Sequence, residues 1–300
     1  MPIELDKLPA SLVRAAETGS LVPFVGAGVS RQAQVKGTKA FPNWTEMLHE
    51  LIDLGEEEGD ITAEEKAEIL DLIARGKFLM AAQAVRSAIT PDAFETYIQS
   101  RFAPADARPG KIHQCLFKLQ PTLVLTTNYD RLLEDAYSRT HKMAPETVTW
   151  KDAAVVQRHL QSRKQWPDRP LIFKLHGSTA SPGDAILAEL DYRHLLYREP
   201  GYRMVLSAIF LTRVVLMIGF SFADPELMTL VEALREAMKH GSSPDYLVLP
   251  KGEKGKVEKR RLRDDFGIRV IEYEASPGHP ELIQLIEYLA QVRASKAKKK

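Results

Sequence analysis

Four short clusters in this 300-residue chain carry residue types able to do chemistry together. The first is Gly26, Ala27 and Gly28 with Ser30 just beyond, at the end of an apolar run. The others are Thr127-Asn128-Tyr129-Asp130, His176-Gly177-Ser178, and Gly219, Ser221 and Asp224. Two glycines around an alanine let backbone approach a ligand to hydrogen-bonding distance, because no Cβ intervenes. A helix starting near Ser30 would turn its free N–H groups toward the same space and suit an anion such as a pyrophosphate. Strand, glycine turn and helix start form the phosphate end of a dinucleotide fold, although Arg31 stands where the usual third glycine would be. Each cluster also has a plainer reading. The glycines can serve a tight turn alone, and Asn128 or Asp130 can cap a following helix. His176 can be a structural histidine, and Gly219 with Ser221 a strand-to-helix turn that Asp224 caps. Only their joint placement favours function.

That placement depends on the elements between them. A short helix over Pro9–Glu17 leads into a first strand over Val22–Val25. Asn43 is a good N-cap for a helix with Trp44, Met47, Leu48, Leu51 and Ile52 at helical spacing. Thr62 with Glu65 has the pattern of a capping box, and Lys77–Ala88 and Pro91–Arg101 read as further helices. About seventy mainly helical residues thus precede the next strand, too many for a simple crossover. They read as a helical insertion or lid beside the glycine loop, at approximately 31–118. Strands are expected at Thr122–Thr126, Thr147–Trp150, Leu171–Lys174, Val214–Ile218, Tyr246–Leu249 and Ile268–Tyr273. Helices are expected at Tyr129–Tyr137, Pro225–Lys239, Lys256–Phe266 and Pro280–Val292. The alternation predicts a Rossmann-like α/β fold: a doubly wound parallel sheet with a helical insertion after the first strand, one domain over 1–294 and a disordered basic tail over 295–300. Ligands of such sheets bind outside the carboxyl ends of the strands, and all four clusters fall at such ends.

Composition narrows the classes. Forty-one basic and forty acidic residues leave a charge of +1, so neither a nucleic acid nor a membrane surface is an expected partner. The start of the chain lacks the pattern of a signal peptide, and the most apolar run, Val205–Phe220, is interrupted by Thr212 and Arg213 and too short for a bilayer. A cytoplasmic location is expected. Cys115 is the only cysteine, which excludes an intrachain disulfide and any all-cysteine zinc site. His49, His113, His141, His159, His194, His240 and His279 show no metal-ligand spacing and read as surface or structural, so no metal is expected. Asp191, Tyr192 and Arg193 read as a solvated helix start, with a role in shaping the cleft as the alternative. The basic run from Lys254 to Arg263 reads as a solvated helix face, since acidic residues offset it.

Taken together, GAGVS (26–30), TTNYD (126–130), KLHGS (174–178) and IGFS (218–221) resemble the sirtuin-like NAD-binding family in content and order. Pro42 and Trp44 after the glycine loop, and Ile218, Gly219, Ser221, Asp224 and Pro225, make the chain similar to the prokaryotic branch of that family associated with antiphage defence. The four-cysteine zinc module of deacylase sirtuins is absent, and RQAQVKG replaces their IPDFR-type stretch. The resemblance implies NAD as substrate, no zinc, and cleavage of NAD to nicotinamide and ADP-ribose. It implies His176 as base toward a ribose hydroxyl or the attacking water, Asn128 holding ribose and water, and Asp130 near the nicotinamide ribose or carboxamide. Gly26, Ala27, Gly28 and Ser30 would cradle the pyrophosphate, with Gly219, Ser221 and Asp224 on the adenosine side. The alternatives are a deacylase or ADP-ribosyltransferase sharing the first step, or an NAD or ADP-ribose sensor without turnover. Control is expected from homo-oligomerisation or a partner, a ring-forming ATPase or a phage-derived activator.

Overall fold

The computed structural model describes residues 3–36, 39–162, 169–220, 231–232 and 244–297. Its alternating runs resolve into seven parallel strands, the Rossmann-like α/β sheet that the sequence pattern predicts. They are β1 (Leu21–Val25), β2 (Leu123–Thr126), β3 (Glu146–Thr149), β4 (Leu171–Lys174), β5 (Val214–Ile218), β6 (Asp245–Pro250) and β7 (Ile268–Tyr273). Across the sheet the order is β3-β4-β2-β1-β5-β6-β7. β1 therefore has β2 on one side and β5 on the other, and the chain reverses its direction of travel there. A crevice opens at such a point. Pro23 sits inside this central strand without an N–H to offer, and the ladder to β2 begins only after it, at Phe24↔Leu125.

Successive side chains on a strand point to opposite faces, and here both faces are apolar. Leu21 and Val25 of β1 join one core, built with α1 (Ala10–Thr18), α7 (Lys111–Lys118), α8 (Leu132–His141) and α13 (Pro280–Ala297). Val22 and Phe24 join the other, with α9 (Ala153–Gln161), α10 (Glu189–Arg198), α11 (Pro200–Thr212) and α12 (Lys256–Phe266). Between β1 and α7 lie a single helical turn, α2 (Ala27–Ser30), and four longer helices. These are α3 (Trp44–Glu58), α4 (Ala63–Ala74), α5 (Phe78–Ala88) and α6 (Pro91–Phe102), which enclose a third core around Leu48, Leu51, Ile52, Val85, Phe94 and Ile98. Asn43 and Thr62 cap α3 and α4 as expected, Thr62 with the capping box its spacing predicts and Asn43 with a second one, closed by Glu46.

The helix start considered near Ser30 is the single turn α2, and two boundaries differ from the sequence reading. α8 starts at Leu132 rather than Tyr129, because the Asp130 side chain accepts from the Leu132 N–H at 3.0 Å and holds the preceding residues out of the helix. α13 continues to Ala297, through the start of the tail read as disordered from Ser295. Most of the helix expected at Pro225–Lys239 lies outside the described residues, as do 298–300. No helix among the described residues is long and apolar enough to cross a membrane.

His113 lies inside α7 and is 1% exposed. The Gly110 N–H donates to its Nδ1 at 3.2 Å, so the ring proton sits on Nε2, which meets no partner among the described residues. Burial lowers the pKa from 6.5 to about 4. The unfolded chain takes up this proton as pH drops below 6.5 while the native chain refuses it until about 4. The stability from neutral His113 is therefore complete above pH 6.5 and lost between 6.5 and 4, on the order of 3 kcal/mol. His159 and His279, also lowered by burial, act in the same direction. Urea denaturation at pH 7 and pH 5 is expected to show about 2 kcal/mol of this loss, and His113→Gln is expected to shrink it. A pH dependence unchanged in the variant would assign the slope to other groups.

Candidate functional site

The sharp turn after β1 brings three glycines together. The Gly26 N–H donates to the Ile218 carbonyl at 2.9 Å, and the Gly28 N–H to the Gly219 carbonyl at 2.9 Å. A Cβ on Gly26 would lie 2.5 Å from the Gly219 oxygen, and one on Gly28 3.0 Å from it. Gly219 has φ +72°, and a Cβ there would lie 2.6 Å from the Val29 nitrogen. The glycines thus let the ends of β1 and β5 interlock, backbone against backbone. Sequence reading finds the glycines but not what fills the space they leave.

From this turn a polar chain crosses to β2. Thr126 Oγ1 donates to the Val25 carbonyl at 2.8 Å and accepts from the Asn128 N–H at 3.0 Å. Asn128 Nδ2 donates both its hydrogens, to the Gly26 carbonyl at 3.0 Å and to Ser30 Oγ at 2.8 Å. Ser30 Oγ passes its own proton to Asp130 Oδ2 at 2.6 Å, while Asp130 Oδ1 takes the Leu132 N–H. Both Asp130 oxygens are thus engaged inside the protein. Asn128 Oδ1, by contrast, receives no donor from the described residues and remains an acceptor. Below them the buried Lys174 ammonium donates to the Asp130 carbonyl and to Glu134 Oε1 at 3.3 Å.

His176 follows β4 and is buried against Tyr192, with ring centroids 5.4 Å apart at 88° and the Tyr192 hydroxyl 3.5 Å from Nε2. Its carbonyl accepts from the Ile186 N–H at 2.9 Å. Gly177 turns the chain with φ +93°, where a Cβ would lie 2.8 Å from the Asp184 carbonyl oxygen. One cavity of about 610 Å³ is lined by Gly26, Ala27, Gly28, Ser30, Asn128, Asp130, His176 and Gly219. That volume suits a small-molecule or cofactor ligand. Phe41, Trp44 and Met47 supply an apolar wall from the insertion, and Glu253, Tyr273 and His279 close the side under β6 and β7. Ser221 and Asp224 lie outside the described residues. Among the described residues no group of three or more His, Cys, Asp or Glu is placed to hold a metal ion.

For two cavity residues the favoured sequence reading is not the one the structure supports. Tyr192, read first as part of a solvated helix start with shaping of the cleft as the alternative, is buried beside His176 and lines the cavity, while its neighbour Asp191 caps the helix by accepting from the Leu187 and Ala188 N–H groups. The spacing of Tyr192 and Leu195 on one face of α10 is the signal for this. His279, read as surface or structural, lines the cavity. It accepts from Gln32 Nε2 at 3.1 Å, which leaves its Nδ1–H to Tyr273 OH at 2.8 Å. No local pattern marks it.

A parallel sheet with a glycine turn at its reversal point and a cavity at the strand carboxyl ends defines a Rossmann-like ligand-binding domain. The chain belongs to the SIR2-like domain family, whose profile matches residues 122–271, half of the chain. It is 30% identical over 162 residues to NAD(+) hydrolase ThsA of Bacillus cereus (strain MSX-D12), covering 54% of this chain and 32% of that protein. Against NAD(+) hydrolase ThsA of Acinetobacter baumannii (strain 532279), identity is 26% over 241 residues, 80% of this chain and 44% of the other. Defense-associated sirtuin 2 of Bacillus subtilis is 23% identical over 269 residues, 87% of this chain and 24% of its own length. The chain spans less than half the length of each of these relatives.

The glycine interlock makes a specific demand on Gly219. Alanine there must adopt a left-handed backbone and push against the Val29 nitrogen. Gly219→Ala is expected to lower stability by about 1–3 kcal/mol, read from the urea unfolding midpoint. A variant as stable as the parent chain would mean that the β1 and β5 turns can separate freely.

Proposed function

We propose that this chain is an NAD glycohydrolase, releasing nicotinamide and ADP-ribose, and that it serves antiphage defence by depleting NAD. The observation that carries this reading is the placement of Asn128 and His176 on neighbouring strand ends, facing one cavity. Nicotinamide leaves a cationic pyridinium as a neutral base, taking the electron pair of the C1′–N bond, so it needs no proton from the protein. Water then adds its oxygen to the oxocarbenium carbon and gives up a proton. His176 accepts that proton, or that of a ribose hydroxyl. Asn128 is held by Gly26 and Ser30, so its Oδ1, which receives no donor from the described residues, presents a fixed acceptor to the ribose or the water. Asp130, with one oxygen taken by Ser30 and the other by Leu132, acts by orienting Ser30 and by lending negative charge to the side of the cavity where the cation develops.

The relatives named as NAD(+) hydrolases support the reaction, and the one named for defence supports the role. Such a catalyst must be restrained, and the reading includes control by self-association or by a separate partner, a ring-forming ATPase or a phage-derived activator.

The purified chain incubated with NAD is expected to release nicotinamide and free ADP-ribose in equal amounts. His176→Ala and Asn128→Ala are each expected to lower turnover by about 10²–10⁴-fold in chains that still unfold cooperatively from a folded state. ADP-ribose recovered on an acceptor would make the chain a transferase. NAD bound but uncleaved at every chain concentration would overturn the hydrolase.

A further inference from the structure

The amides of the glycine turn, expected from sequence to cradle a pyrophosphate, are largely committed elsewhere. Gly26 N–H goes to Ile218, Gly28 N–H to Gly219, Val29 N–H to the Gly26 carbonyl at 3.1 Å and Arg31 N–H to the Ala27 carbonyl at 3.1 Å. Four of the six amides from Gly26 to Arg31 therefore already have partners. The charge of the cavity makes the same demand from another side. Among its described lining residues Arg31 is the one lysine or arginine, and it shares the cavity with the carboxylates Asp130 and Glu253. A diphosphate carries two negative charges into this space.

Arg31 now rests on Glu46 in the first turn of α3, with the two side chains 38% and 46% exposed. An ion pair this open is worth little and exchanges at little cost. Glu46 is also not left idle when it loses the arginine, because it accepts the Asn43 N–H at 2.8 Å as the return half of the α3 capping box. The guanidinium is a planar fork matched to phosphate oxygens.

We propose that Arg31 is the diphosphate ligand of the cavity, giving up Glu46 for the dinucleotide. The inference rests on the NAD reading above and names the group that meets the charged centre of that substrate. Glu46 is then a competitor for the arginine, and this separates the proposal from a purely structural ion pair.

Calorimetric titration with ADP-ribose, which needs no turnover, reads both sides. Arg31→Gln is expected to weaken binding about ten- to a hundred-fold. Glu46→Gln is expected to tighten it a few-fold, since glutamine at the same position keeps the helix cap. A pair that merely braces the insertion would weaken ADP-ribose in both variants, and that result overturns the proposal. So does binding equal to the parent chain in both. A parent chain that binds no ADP-ribose would instead overturn the NAD reading itself.

Discussion

Three glycines meeting where β1 and β5 end are the constraint on which the site depends. A Cβ on any of them would press into the opposing turn, on Gly26 or Gly28 against the Gly219 backbone and on Gly219 against Val29. Their absence of side chains lets two turns from opposite halves of the chain share hydrogen bonds. It also fixes the direction of the Gly26 carbonyl, and that carbonyl is what Asn128 is anchored to. The Asn128 side chain is thus anchored to a turn that β1 and β5 set between them, while Thr126 of its own strand, β2, holds its backbone N–H.

Beneath the cavity a second constraint acts through buried charge. Lys174 is 1% exposed and Glu134 7%, and Glu134 Oε2 finds no partner among the described residues. Taking two charges out of water costs several kcal/mol each, and an incompletely satisfied pair recovers that poorly. Packed hydrocarbon in these positions would serve stability better. What the lysine does that hydrocarbon cannot is donate to the Asp130 carbonyl, which ties the end of β4 to the loop after β2. Asp130 then orders Ser30, and Ser30 orders the Asn128 amide. The Ser30 hydroxyl has a single proton, and giving it to Asp130 leaves the oxygen to accept from Asn128, so these two links fix each other's direction.

Much of this is legible in the sequence where the cause is local. Leu171–Lys174 and Val214–Ile218 stand out as apolar runs bounded by polar turns, and the caps at Asn43 and Thr62 are decided within four residues. The polar clusters are legible as a set because a parallel sheet puts every strand's carboxyl end on the same edge. What sequence does not carry is what distant segments do to one another. The start of α8 moves from Tyr129 to Leu132 because Asp130, tied to Ser30 a hundred residues earlier, uses its other oxygen on the Leu132 N–H. His279 reaches the cavity because α13 packs against the sheet, and nothing around it in sequence says so. Gly26 and Gly28 are legible as glycines that something approaches closely. Whether ligand or backbone approaches is decided by β5, almost two hundred residues away.

The helical insertion is bound into this arrangement rather than laid over it. Its core includes Tyr129, Ala185 and Leu187 from the loops around the sheet edge and Leu132 from the start of α8. The Phe102 ring at the end of α6 meets the edge of Tyr129 at 5.2 Å and 82°, next in sequence to Asn128. The Tyr129 hydroxyl donates to the Ile186 carbonyl at 2.6 Å, and the Ile186 N–H donates to the His176 carbonyl at 2.9 Å. An unbroken series of contacts therefore runs from the insertion past both Asn128 and His176. Under the proposed reaction this has a chemical consequence. An oxocarbenium ion reacts with any water that reaches it, so turnover is controlled by how many waters the apolar wall admits and where the polar pair holds the one that reacts. The wall and the pair share the Tyr129 contact, so the packing that would keep water out is the same packing that seats the pair.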